Sequence, residues 1–138
     1  LNPLDEEGRI VLIHRFGEKH ILRCLPLLLD AVLESKLNVC WLCDPMHGNT
    51  MKTNKHIKTR RYQDILEETK LALSIHRDYQ VPLGGVHFEL TGEDVTECLG
   101  GELQDITMDD LVKNYSSLCD PRLNYTQSIE MALVLSQL

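Results

Sequence analysis

Three short, almost unbroken apolar runs constrain this chain more than anything else in it: residues 10–14 (IVLIH), 39–43 (VCWLC) and 85–90 (GVHFEL). Runs of that length without polar alternation suit strands buried on both faces of a parallel sheet. Each is followed by helix-forming material. After the first, the chain stays apolar as far as Ser35, and Pro26 suits the opening turn of a helix better than its middle. After the second, Tyr62, Ile65, Leu66, Thr69, Ala72, Leu73 and His76 recur at helical spacing. After the third, Thr107-x-x-Asp110 reads as a capping box ahead of Leu111, Val112 and Tyr115, and a last helix is expected near 126–138. The runs stand further apart than the dozen or so residues a parallel crossover requires. This βα, βα, βα order fits part of a doubly wound sheet or part of a (β/α)8 barrel. A whole barrel takes roughly 250 residues and the chain has 138, so about three of its eight units are accommodated.

Composition narrows the function classes. With 43% apolar and 25% charged residues the chain reads as one folded segment, 1–138, with no disordered linker. The greasiest stretch, 25–33, is interrupted by Pro26 and Asp30 and is too short to span a membrane. No signal-peptide pattern opens the chain, which starts at Leu1 and reads as processed or partial. A net charge of −7 argues against non-specific binding to nucleic acid or anionic membranes. Five irregularly spaced cysteines (24, 40, 43, 98, 119) are unlike a disulfide framework and suit a reducing compartment. Cys40 and Cys43 form a CxxC, but three apart on a strand they point to opposite faces and cannot share a metal. The Asn-x-Ser/Thr triplets at Asn114 and Asn124 are read as chance.

Ligands of parallel α/β folds bind beyond the carboxyl ends of the strands. Arg15 follows the first run; Asp44 and His47 follow the second, in DPMHGNT. Glu89 sits near the end of the third, and Asp120 lies in the connection after it, in CDPRLN. One imidazole and two carboxylates form a mixed N/O set suited to Mn²⁺, Fe²⁺, Co²⁺ or Zn²⁺, and three protein ligands with open positions are the catalytic kind of site. The competing reading makes His47 a turn residue and pairs the acids with arginines. His87, two residues before Glu89, shares its side of the strand and is read first as a core histidine, otherwise as a support for the ligands; His14 is assigned to packing. The stretch 52–61 (KTNKHIKTRR) is basic within an acidic chain. Most of it reads as a solvated loop. Lys58 and Arg60, nearest the following helix, are its candidate phosphate contacts, and Arg15 is a stronger anion-binding candidate than either. The glycines do not make a phosphate-loop spacing.

The strings DPMHGNT (44–50), KTR (58–60), GGVHFELTGEDVTECLGG (84–101) and CDPRLN (119–124), followed by Gln127 and Ser128, closely resemble the C-terminal region of type II 3-deoxy-D-arabino-heptulosonate 7-phosphate (DAHP) synthases, the plant-like, microbial first enzymes of the shikimate pathway. The resemblance runs from about Arg9 to the end. It implies an α/β fold, the C-terminal portion (about strands six to eight with their helices) of a (β/α)8 TIM barrel whose N-terminal part is absent. The family condenses phosphoenolpyruvate with erythrose 4-phosphate and water to give DAHP and phosphate. Its divalent ion, often Mn²⁺, is held by a Cys, a His, a Glu and an Asp, and the last three fall on His47, Glu89 and Asp120. The Arg that contacts phosphoenolpyruvate falls on Arg15; Asp44, Lys58 and Arg60 are the further expected substrate contacts. The family's cysteine ligand and its other basic residues belong to the N-terminal half, and Cys119 is not put in the missing ligand's place. Arg15-Phe16-Gly17 stands where the family commonly has Arg-Met-Gly, and Val81-Pro82-Leu83 replaces a more usual His-Pro. In the implied mechanism carbon 3 of the enol attacks the aldehyde, water adds at carbon 2, and phosphate leaves the resulting hemiketal. A homo-oligomer of the full-length chain, in the cytoplasm or a plastid, is expected. The alternatives are a non-catalytic isolated segment and another metal-dependent barrel aldolase or hydrolase.

Overall fold

A computed structural model describes residues 2–138. The first two apolar runs form β1 (Val11–His14) and β2 (Cys40–Cys43), paired in parallel with Val11 opposite Cys40 and His14 opposite Cys43. The third run is strand only over β5 (Gly85–Val86), numbered after a hairpin described below, and it lies parallel to β2 on its other side. The expected strand over 85–90 is thus cut short. β2 ends where the chain turns at Asp44 and Pro45, so after the His87 N–H bonds the Cys43 carbonyl at 2.8 Å no strand remains to pair with. Residues 89–91 pair instead with Leu123: the Leu123 N–H bonds the Glu89 carbonyl and the Thr91 N–H bonds the Leu123 carbonyl, both at 3.0 Å.

Helices α1 (Ile21–Glu34) and α2 (Tyr62–Asp78) cover one face of the sheet. Ile21, Leu25 and Leu29 of α1 meet Trp41 and Cys43 of β2 and Ala72 and Ile75 of α2 in a single cluster. The opposite face is bare among the described residues: Val11 is 44% and Ile13 54% exposed, alternating with partly buried Leu12 and buried His14. The expectation of strands covered on both faces is therefore met on one only. By the two-residue period of a strand, Arg15 and Asp44, each one residue past its strand, continue the bare face.

Pro26 does not open α1. The helix starts five residues earlier, where the N–H groups of His20 and Ile21 both bond the Gly17 carbonyl at 3.1 Å. Pro26 removes the bond to the carbonyl of Leu22, an exposed residue. Burying Ile21, Leu25 and Leu29 contributes about 1.5–3 kcal/mol each, more than the interior proline costs (about 3 kcal/mol). The capping box at Thr107 is half formed, the Asp110 carboxylate accepting from the Thr107 N–H at 2.8 Å, but only turns follow. Leu111 is buried while Val112 is 65% exposed, too little apolar face for a helix, and Asn114 is tied back to Asp94 and Thr96. The last helix, α3 (Tyr125–Leu135), carries the capping box instead: Asn124 accepts from the Gln127 N–H and the Gln127 side chain accepts from the Asn124 N–H.

The basic stretch is not a plain loop. It forms a hairpin of β3 (Thr50–Lys52) and β4 (Lys58–Arg60), with Thr50 opposite Arg60 and Lys52 opposite Lys58. Cys40 and Cys43 stand on β2 as expected, and all five cysteines are free thiols. Burial pushes the Cys43 thiol far above its ordinary range, with Glu68 and Asp44 adding to the effect, so it is inert. No described helix is long and apolar enough to cross a membrane.

Candidate metal centre

Asp44 and Pro45 end β2, and a single 3-10 turn (His47–Asn49) follows. Asp44 shapes it. One of its oxygens accepts the N–H groups of Met46 and His47 at 3.0 and 3.1 Å, and the other meets His47 Nδ1 at 2.6 Å. With a proton on Nδ1, the lone pair of Nε2 faces outward, toward the two acids. Glu89 Oε1 lies 3.5 Å from Nε2 and Asp120 Oδ2 lies 3.4 Å from it. One donor atom from each of His47, Glu89 and Asp120 falls within 4.8 Å of the others. The residues brought together are 47, 89 and 120, joined by folding alone.

Two glycines make the turn possible. A Cβ on Gly48 would stand 2.4 Å from the Gly17 nitrogen, and Gly17, at φ +80, has its own Cα side against the Gly48 carbonyl. The loop after β1 and the loop after β2 therefore touch backbone to backbone. Glu68, fully buried on α2, locks the contact: it accepts the N–H groups of Phe16 and Gly17 at 2.9 Å and the Asn49 amide at 2.8 Å. Burial pushes its carboxyl up, and those three hydrogen bonds oppose the rise.

Asp120 is placed by a second buried acid. Glu97 has no exposed surface and accepts Arg122 through Nη2 at 2.8 Å and Nε at 3.0 Å, along with the N–H groups of Ser116, Ser117 and Arg122. Burial works to raise its carboxyl, but Arg122 and these backbone bonds hold it below the ordinary range. The Glu97 carbonyl also accepts from the Thr59 hydroxyl at 2.8 Å, tying the CDPRLN loop to the hairpin. The Lys58 ammonium on Asp120 Oδ1 holds the Asp120 carboxyl down against burial, with Arg60 adding to the effect.

The structure puts Lys58 and Arg60, candidate phosphate contacts in the sequence, onto the acids: Lys58 on Asp120, and Arg60, fully buried, on Glu89. Asp44, another expected substrate contact, is 4% exposed and spends both oxygens on the His47 turn. Arg15 is exposed and succeeds His14 on the strand beside Asp44. His87 is not a core histidine: it is exposed, because β5 has already ended, and its ring stacks on His47 at 6.2 Å between centroids. His14 is packing, as expected, stacked against Phe16 and His76. Cys119 is exposed beside Asp120 and is not among the three converging donors. A shallow cleft of about 350 Å³ opens over the acids, lined by Glu89, Asp120, Cys119 and Arg122 among others. The sequence reading missed Glu68 and Glu97. An acid set among apolar neighbours, as Glu97 is between Val95 and Cys98, was the available sign.

Similarity to known proteins gives the family. The family model of the class-II DAHP synthetase family matches residues 1–136. This chain belongs to the class-II DAHP synthetase family. A phospho-2-dehydro-3-deoxyheptonate aldolase of Neurospora crassa is 46% identical over 99% of the chain, and one of Streptomyces coelicolor is 44% identical over all of it. The chain spans only 28% and 30% of the length of those two relatives. A Streptomyces lividans protein of the same name is 42% identical, and the chain covers 93% of it. In a class-II DAHP synthetase chain, then, the DPMHGNT, GGVHFEL and CDPRLN strings each deliver one donor to a common point.

Proposed function

We propose that the protein carrying this chain is a DAHP synthase, joining phosphoenolpyruvate to erythrose 4-phosphate with water and releasing phosphate. The observation that carries the reading is the convergence of His47 Nε2, Glu89 Oε1 and Asp120 Oδ2 in a chain of this family. The open sheet face then becomes the interior of a (β/α)8 barrel completed by other segments, with residues 1–138 as one part of the catalytic domain.

The donor set suits a first-row divalent ion, Mn²⁺ foremost, with Co²⁺, Fe²⁺ or Zn²⁺ as the other candidates. Each acid directs one oxygen at His47 and gives the other to a cation, and Nδ1 of His47 is already engaged by Asp44, so three single donors remain. Bound there, the ion supplies Lewis-acid polarisation of the aldehyde carbonyl. Asp44 keeps His47 in the tautomer that offers Nε2. Arg15, exposed on the same face, presents a guanidinium to the phosphate or carboxylate of phosphoenolpyruvate. Glu68 fixes the backbone just after Arg15, so that charge is held in place before substrate arrives. The acids and the cations beside them keep the site close to neutral, which lets two anionic substrates approach.

The test is heptulosonate formation by the full-length protein from the two substrates, with and without divalent metal, against its His47→Ala variant. Metal-dependent product from the wild type and a loss of at least 100-fold in the variant are expected. Wild-type turnover by His47→Ala overturns the reading. The 138-residue chain assayed alone should give no product, because other segments supply the remaining substrate and metal contacts.

A further inference from the structure

Arg60 sits where a substrate contact was expected, yet none of its surface is exposed. Its guanidinium is held on several sides. Nε donates to the Thr50 hydroxyl across the hairpin at 3.0 Å, and Nη1 donates to the Pro121 carbonyl at 2.5 Å and to Glu89 Oε2. Among the described residues Nη2 has no hydrogen-bond partner, and it lies 3.9 Å from Asp120 Oδ2. One planar group thus spans Glu89, after β5, and the loop that carries Asp120.

We propose that Arg60 is a positioning residue of the metal centre, occupying one oxygen of Glu89 and bracing the Asp120 loop so that each acid offers a single donor toward His47. The inference rests on the metal-centre reading above. Glu89 has two oxygens. With Oε2 engaged by Arg60, Oε1 is the one left facing His47 Nε2 at 3.5 Å. The Pro121 carbonyl, next to Asp120, is held by the same Nη1, so the two acids cannot move independently. A lysine could supply the charge but not the fork that reaches Thr50, Pro121 and Glu89 together.

Charge and position make opposite predictions. Asp44, Glu89 and Asp120 carry three negative charges against two positive ones from Lys58 and Arg60. If Arg60 acted only as a nearby positive charge it would repel a divalent cation, and removing it would tighten binding. If it acts by holding the acids, losing its fork loosens the ligands and weakens binding, by about 10- to 100-fold for a partner of metal ligands.

The experiment is Mn²⁺ titration of the metal-stripped full-length protein, followed by calorimetry or by the Mn²⁺ electron paramagnetic resonance signal, on wild type, Arg60→Lys, Arg60→Gln and Thr50→Val. Thr50→Val keeps the shape of the side chain and substitutes no ligand; it removes the acceptor of Nε and, with it, the 3.3 Å hydrogen bond from the Thr50 hydroxyl to the Met46 carbonyl. Arg60→Lys is expected to bind Mn²⁺ about 10- to 100-fold more weakly, and Thr50→Val to bind it measurably more weakly than wild type. Should Arg60→Lys unfold, Arg60→Gln and Thr50→Val decide together: weaker binding in both supports the proposal, and wild-type affinity in Thr50→Val overturns it. Wild-type Mn²⁺ affinity in Thr50→Val and in a folded Arg60→Lys, with only KM for phosphoenolpyruvate raised, overturns the proposal and makes Arg60 a substrate contact. Tighter binding by Arg60→Gln also overturns it and leaves a charge effect alone. His47→Ala separates the two readings. If it binds Mn²⁺ like wild type the metal centre is misassigned; if it loses Mn²⁺ while the Arg60 and Thr50 variants do not, only the role of Arg60 falls.

Discussion

Asp44 Oδ2 lies 2.6 Å from Nδ1 of His47, and that single contact decides which nitrogen of the ring faces Glu89 and Asp120. Asn in place of Asp44 can still cap the turn through its carbonyl oxygen, but it no longer presents a carboxylate to Nδ1. Asp44→Asn is expected to lower divalent-metal affinity about 10- to 100-fold with little change in secondary structure. Mn²⁺ titration alongside circular dichroism checks both parts. Unchanged affinity would show that the tautomer is set in some other way.

The backbone contact between Gly17 and Gly48 leaves no room for a methyl group, since the added Cβ at Gly48 would fall 2.4 Å from a main-chain nitrogen that Glu68 holds in place. Gly48→Ala should destabilise the protein by about 1–3 kcal/mol and weaken metal binding as well, because His47 is the preceding residue. Chemical denaturation and the same titration measure the two effects. A variant as stable as wild type would mean the loops part easily.

Arg122 balances Glu97, which has no exposed surface. Arg122→Met leaves that carboxylate with backbone donors and the Ser116 hydroxyl, and losing one partner of a buried pair costs about 3–5 kcal/mol. Arg122 itself is partly exposed, so the lower end is expected. Asp120 should shift with the loop, so metal affinity falls in parallel. Full stability with full affinity would show that the CDPRLN loop is held by other contacts.

Among the described residues neither ring nitrogen of His14 has a hydrogen-bond partner, and the ring lies against His76. Burial, with His76 beside it, lowers its pKa from 6.5 to about 4, Asp44 opposing. The unfolded chain therefore binds more protons than the folded one between those values, so stability rises with pH there. The contribution is complete above pH 6.5 and is lost as pH falls toward 4, about 3 kcal/mol in all. His14→Leu should flatten this limb and leave stability at pH 7.5 nearly unchanged; His76, also lowered by burial, keeps a smaller slope. Denaturation midpoints measured from pH 4 to 7.5 test it, and an identical acid limb in the variant would refute it.

Much of this was legible in the chain itself. The first two strands, the helix begun by Tyr62 and the three converging donors follow from apolar runs, helical periodicity and the rule that strand ends carry ligands. What was hidden depends on partners distant in sequence. The run ending at Leu90 reads as one strand, but its length is decided by where β2 turns at Pro45. Pro26 reads as a helix start, and only the burial of Ile21 shows why the helix begins earlier. The hairpin reads as a charged loop because its two cations nearest the site, Lys58 and Arg60, are balanced by acids 62 and 29 residues away. Glu97 and Arg122, 25 residues apart, give no local sign of each other.

The most direct test of the central claim is the stoichiometry of Mn²⁺ bound by metal-stripped full-length protein, compared with His47→Ala, Glu89→Gln and Asp120→Asn. One ion per chain in the wild type, with weakened binding in every variant and the largest loss in His47→Ala, is the predicted result. Tight, stoichiometric Mn²⁺ in the His47→Ala protein would contradict it.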